Sequence, residues 1–348
     1  MRKMDKYENG EDKMNGRSYN YGLAMLRIWM CFEVVLDHFW IHGTYTWPNP
    51  FAEYGAVAVP IFMIMSFYFT DVDRVSQDNK MIRSRLGRII MPQIFWAFTY
   101  CAVLLILHDI NGQTFFPNFI LQCFFGHSVN QSMWFQFDLL VMTGLAILYY
   151  KYKDKISMAF IPIIVLLALI AEYIGANSYL FGRLPEQIRF PIGRICEMIP
   201  FVVLGILLQK VTPMLVRQKK HAGFICCYLA AVVAFILVIS PFTSLKYSFG
   251  YGGLHLILVG TLTFVIFYYL PINAISGRIL HIIRSVSNYT LGIYCAHRLI
   301  ERLLRLTPIY GLSAEHSFVY CVIIFNIGLF LSWIIDMSLG KYIKNVVC

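Results

Sequence analysis

Residues 26–40 read LRIWMCFEVVLDHFW, and this stretch decides the fold. It is apolar enough to enter a bilayer, yet it carries Arg27, Glu33, Asp37 and His38. Ionisable groups at membrane depth are costly and are kept for a function. Arg27 and His38 stand eleven residues apart, which on an α-helix is about 20° beyond three full turns and about 16 Å along the axis. Both therefore leave the helix from nearly the same face, and that face must look into protein or a wet cavity. Glu33 projects about 120° away from Arg27 and is placed to pair with another span.

The rest of the chain has the composition this reading needs. Of 348 residues, 58% are hydrophobic and only 14% are charged, against about 25% charged in soluble domains. Mean hydropathy is +0.63. A bilayer core takes about 20 apolar residues per helix. That ruler predicts spans at 21–42, 52–70, 89–108, 133–150, 157–175, 196–210, 222–241, 250–270, 286–304 and 315–340, the sixth being short. The fold class is all-α, a polytopic transmembrane bundle of about ten spans. A polar tail (1–20) precedes the membrane domain (21–340), and a short tail (341–348) follows it. The first apolar run lacks a small-residue cleavage site and reads as a retained span.

Charge placement gives the orientation. Five basic residues lie in the first tail, five in 71–88, three in 151–155 and four in 210–220, whereas 43–51 and 109–132 hold none. Arg183, Arg189 and Arg194 fall in the third outer segment. Cytoplasmic loops collect Lys and Arg, so both termini are expected in the cytoplasm, as an even number of spans requires. The net charge of +10 is then topogenic, and nucleic acid is not an expected partner. The nine cysteines show neither metal nor disulfide spacing.

A second cluster, KMIRSRLGRIIMP (80–92), sits at the inner mouth of the third span. Arg85 and Arg88 are three apart and share a helical face, so together they can grip one anion. Arg83 lies on a neighbouring face.

These positions resemble acyltransferase family 3, membrane proteins that modify sugars and other acceptors. The family carries Arg, ten residues, then His in its first span, matched by Arg27 and His38. It carries Arg-x-x-Arg before its third span, matched by Arg85 and Arg88 and followed by Pro92. MWFQFDLL (133–140) is similar to its fourth span, and MIPFVVLGILL (198–208) to its Gly-bearing sixth. SVSNYTLGIYCAHRLI (285–300) resembles its late segment, giving Thr290, Tyr294 and His297. One departure concerns the second span, IFMIMSFYFT, where Ser66 is kept but Phe67 stands in place of the family's Gly.

The resemblance implies acyl-CoA as donor, with acetyl the family's commonest cargo, and transfer to a hydroxyl of a sugar or cell-surface glycan at a bacterial cytoplasmic membrane, without a metal. In that scheme His38 is the general base, since a neutral imidazole with a pKa of about 6.5 suits the task. Arg85 and Arg88 meet the CoA phosphates and Arg27 holds a deeper part of the donor. Trp134, Tyr294, His297, Glu33 and Ser66 are the expected substrate contacts. Asp37 points about 100° from His38 and is a poor orienter for its ring. The competing reading from composition alone is a transporter or flippase, which would move solute without releasing CoA thiol. A silent membrane sensor, favoured by Phe67, is the third.

Overall fold

The computed structural model describes residues 13–14, 17–39, 56–126, 128–153, 166, 186–216, 222–239, 254–270, 272 and 275–340. Apart from a two-residue antiparallel pairing of Lys13–Met14 with Arg17–Ser18, the described chain is helical. The helices are α1 (Tyr21–Phe39), α2 (Ala58–Tyr68), α3 (Val72–Gln77), α4 (Asn79–Ile106), α5 (Gly112–Phe125), α6 (Trp134–Lys151), α7 (Glu186–Val216), α8 (Ala222–Ile239), α9 (Leu254–Tyr269), α10 (Gly277–Asn288), α11 (Thr290–Leu304), α12 (Leu312–Glu315) and α13 (Ser317–Leu339). Two of them, α4 and α13, are long and apolar enough to cross a bilayer by themselves, and α2, α8 and α9 contain shorter apolar runs.

Several boundaries differ from the hydropathy reading, each for a local reason. The third span begins ten residues early, because Asp78 caps α4 through Lys80 N–H at 2.7 Å and the basic cluster then winds as its first turns. Pro92 sits inside α4 without ending it. The sixth span is long rather than short: α7 runs 31 residues and carries Arg194 within it, not in an outer loop. The expected ninth span is broken at Tyr289 into α10 and α11. The loop at 109–132 contains α5, opened by a capping box between Asn111 and Thr114. The predicted fifth span, 157–175, lies outside the described residues apart from Leu166, as do 1–12 and the tail at 341–348.

Central α1 touches α2, α9, α10, α11 and α13. It starts where Asn20 accepts from Leu23 N–H at 3.0 Å, while the Asn20 amide donates to the Tyr268 carbonyl at 3.2 Å. Leu23, Leu26, Met30, Val34 and Val35 of this helix are buried in one continuous core with α2, α9 and α11. Tyr19 meets Ser287 at 3.1 Å, and Tyr289 donates to Asp336 at 3.1 Å. The start of α1 and the end of α13 thus lie at the same end of the bundle.

Small residues set the closest approaches. A Cβ at Gly205 of α7 would stand 2.5 Å from the Ile64 carbonyl oxygen and 2.9 Å from Phe67 Cβ of α2. Phe67, 1% exposed, therefore takes the space that a glycine on the partner helix leaves open. Much of the outer surface is apolar: Phe116, Phe124, Phe224, Phe235 and Phe330 are all more than half exposed. Apolar surface on this scale suits lipid contact.

Candidate active site

The site is built around the last turn of α1 and the described residues 128–133 that lead into α6. The Gln122 side chain, fully buried, accepts from the backbone N–H groups of Ser128 and Asn130 at 3.0 and 2.9 Å and donates to the Asn130 carbonyl at 2.9 Å. Gln93 of α4 anchors this knot by donating to the Gln122 carbonyl at 2.7 Å. Gly126 ends α5 at φ +61, and a Cβ there would lie 2.5 Å from Trp134 Cα, so only glycine allows this return. Asn130 then accepts from Ser132 N–H at 2.9 Å. The outcome is a fixed serine at the mouth of α6.

His38 faces it. The His38 Nε2 lies 3.3 Å from Ser132 Oγ, and a guanidinium N–H of Arg298 (Nη2) reaches His38 Nδ1 at 3.1 Å. Arg298 Nε also donates to Ser132 Oγ at 3.3 Å. A guanidinium has no acceptor, so Nδ1 must be the accepting nitrogen. The proton of the neutral ring then sits on Nε2, toward Ser132. Behind it the His297 ring stacks on His38 at 5.1 Å and 7°. His297 is itself fixed through Nδ1, 2.5 Å from the Tyr294 carbonyl, and the Tyr294 hydroxyl donates to the Ser132 carbonyl. Asp37, His38, Val34, Val59, Ser132, Trp134 and Tyr294 line a recess of about 20 Å³, room for a water molecule or two.

The helix bearing His297 and Arg298 is gripped from α4. In an α-helix, Leu299 N–H bonds the Cys295 carbonyl. The Tyr100 hydroxyl binds both of these groups, accepting from Leu299 N–H at 2.8 Å and donating to the Cys295 carbonyl at 3.0 Å. The hydroxyl thereby ties α4 to the turn of α11 that presents both residues. Trp134 is held from the other side, where Arg194 lies 4.7 Å over its ring and 3.6 Å from the fully buried Asp138.

The sequence-predicted residues divide between this recess and two other places. His38, Trp134 and Tyr294 line it and His297 backs it. Ser66 and Arg85 meet elsewhere, with Arg85 Nη2 donating to Ser66 Oγ at 2.5 Å, while Arg88 is exposed and bonds the Ser84 carbonyl of its own helix at 3.4 Å. Arg83 is also exposed. Arg27 is exposed, with Nη1 3.5 Å from the Ser287 carbonyl, and is not among the recess residues. Glu33 is buried but accepts from Trp29 Nε1 at 2.6 Å, so it does not orient His38. Ser132, Arg298, Tyr100, Asp138 and Arg194 are additions that sequence reasoning missed. The only signals for them were a serine two residues before Trp134 and an arginine beside His297.

A family model described as an acyltransferase domain (acyltransferase family 3) matches residues 20–337, nearly the whole chain. The chain belongs to acyltransferase family 3. No curated protein and no solved structure matches it. The match takes in both ends of the arrangement above, the His38 recess and the Ser66–Arg85 pair, and makes the protein an acyltransferase of a membrane-associated family. Among the described residues no group of His, Cys, Asp and Glu could hold a metal ion.

Proposed function

We propose that this acyltransferase moves an acyl group, acetyl as the family's commonest cargo, from acyl-CoA to a hydroxyl of a sugar or cell-surface glycan. Its setting is a bacterial cytoplasmic membrane, crossed about ten times with both termini inside. The shared end of α1 and α13 and the apolar outer surface support that topology.

The observation that carries the reading is a histidine set in a polar recess inside an apolar bundle, with serine, tyrosine, tryptophan and aspartate around it. A thioester is already activated, so the protein must chiefly bring the hydroxyl to it, handle one proton and exclude water. His38 takes the proton of the attacking hydroxyl and returns it to the departing CoA thiolate. The new bond joins the acceptor oxygen to the acyl carbon and the C–S bond breaks. Ser132 and Tyr294 hold polar groups of the acceptor, and Trp134 gives a flat wall of the kind that sugar faces pack on.

The donor's phosphates fit Arg85. Its Nε is buried without a hydrogen-bond partner, and Ser66 holds the guanidinium at one edge. A buried unpaired cationic donor is costly unless an anion meets it. Arg88, exposed one turn along the same helix, supplies a second fork for phosphate. Arg27 would reach the donor only from the surface of α1.

The test is CoA-thiol release by membranes given acetyl-CoA and a glycan acceptor. His38→Ala should lower the rate on the order of 10²- to 10⁴-fold with insertion and yield unchanged. Release at the native rate in that variant would remove His38 from the chemistry. Solute movement without thiol release would point to a carrier instead.

A further inference from the structure

Arg298 and Arg302 of α11 and Arg305 at its C-cap follow one side of the helix at spacings of four and three. Two of them are matched by carboxylates. Arg302 donates to Asp109 at 2.9 and 2.5 Å, and Arg305 Nε donates to Glu301. Arg298 is different. It is half-buried, lies 5.3 Å over the Phe39 ring, and donates to an imidazole nitrogen and a hydroxyl, both neutral. A charge drawn out of water normally has a counter-charge with it. Among the described residues no carboxylate bonds Arg298 directly, Glu301 being held by Arg305 and Asp37 standing across the recess lining.

We propose that Arg298 is an anion subsite of the recess, taking a carboxylate or phosphate carried by one of the two substrates, and that this anion draws the guanidinium off His38 Nδ1. The proposal rests on the acyl-transfer reading above and adds the substrate class. While Arg298 occupies Nδ1, the ring offers an N–H at Nε2 and no free lone pair. An anion that takes the guanidinium frees Nδ1 for the attacking hydroxyl. The O–H proton passes to Nδ1, the oxygen bonds the thioester carbon, the C–S bond breaks, and the proton leaves with the CoA thiolate. The same anion offsets the repulsion between guanidinium and the transient imidazolium. A neutral pair of substrates would leave the base latched, so the charge should raise kcat as well as lower KM.

The first test reads binding without catalysis. The full chain, labelled with ¹⁵N-histidine in lipid bilayers, is titrated with inorganic phosphate, glucuronate and glucose, the His38 signals being assigned by their loss in His38→Asn. Both anions should shift the Nδ1 resonance and glucose should not. Arg298→Gln should weaken the anion response by about tenfold to a hundredfold, Arg298→Lys should retain most of it, and Asp37→Asn should strengthen it. No shift with either anion, or an equal shift in Arg298→Gln, overturns the subsite. The second test finds which substrate carries the anion, through thiol release. With acetyl-CoA, a preference for glucuronate over glucose that Arg298→Gln abolishes puts the charge on the acceptor. With glucose, a preference for succinyl-CoA over acetyl-CoA that Arg298→Gln abolishes puts it on the acyl chain. Thiol release with neither preference overturns the proposal and leaves acyl transfer standing. If no pair releases thiol, the acyl-transfer reading fails and the titration alone decides the subsite.

Discussion

Replacing Gly205 by alanine should destabilise the protein, whereas the same change at Gly144 should not. Both glycines lie inside long helices, α7 and α6. At Gly144 a new Cβ meets nothing within 4 Å. There alanine removes the conformational freedom of glycine, worth up to about 1 kcal/mol in favour of the helix. At Gly205 the new Cβ lies 2.5 Å from the Ile64 carbonyl oxygen and 2.9 Å from Phe67 Cβ. Neither is the far end of a flexible side chain, so α2 and α7 must separate by several tenths of an ångström. Overpacking of this kind costs about 1–3 kcal/mol, and close approach at small residues is a main source of helix association in lipid. Detergent-solubilised protein can be heated while a thiol-reactive fluorophore reports exposure of Cys31, Cys295 and Cys321, all buried. The Gly205→Ala midpoint should fall and the Gly144→Ala midpoint should hold or rise. Phe67 adjoins Ser66, which holds Arg85, so acyl-CoA affinity should fall with the Gly205 variant too. Equal midpoints for the two variants would refute the claim that Gly205 is the space into which Phe67 packs.

Other perturbations separate the parts of the site. Tyr100→Phe removes the hydroxyl that binds Leu299 N–H and Cys295 C=O, so this turn of α11 should lose its tie to α4 and misplace His297 and Arg298; thiol release should fall at least tenfold with modest loss of stability, about 1–3 kcal/mol, and a fully active variant would show that the tie is not needed. Arg85→Ala should weaken acyl-CoA binding more than Arg88→Ala, because only Arg85 is held in place by Ser66; calorimetric titration with equal losses would contradict this ordering. Lys153, 2.8 Å from both Asp73 oxygens, holds the Asp73 carboxyl below its ordinary value. Its contribution is therefore present above the unfolded value of about 3.9 and is lost as pH falls through the lower folded one. Both side chains are substantially exposed, so Asp73→Asn should change stability by no more than about 1 kcal/mol at neutral pH, and a larger change in thermal midpoint would mean the α3–α6 link matters more than an exposed pair can.

Hydropathy windows find the long apolar helices α4 and α13, since burial of such a run is insensitive to its neighbours. They misplaced elements where a few polar contacts decide. The start of α4 depends on one aspartate cap, α5 on a capping box, and the break at Tyr289 on the end of an amphipathic α10. Arg194 was counted among outer-loop charges because charge counting cannot see Asp138 across the bundle.

The division of Arg27 from His38 carries the same lesson further. Sharing a face fixes direction around the helix axis but says nothing about what stands opposite at each height. Eleven residues put about 16 Å between the two side chains, and over that distance the neighbours of α1 change. At Arg27 the neighbour is the end of α10, offering the Ser287 carbonyl. At His38 it is the Tyr100-bound turn of α11 and the residues leading into α6, offering Arg298 and Ser132. A single helix can therefore announce a candidate site while leaving its other half to residues 94 and 260 positions away. Those residues look ordinary in sequence: a serine in a loop, and an arginine in a segment whose charges read as topogenic. What makes them a site is that Gln122 and Tyr100 fix the two backbones that carry them, so the proton position on His38 is set by groups that belong to neither substrate.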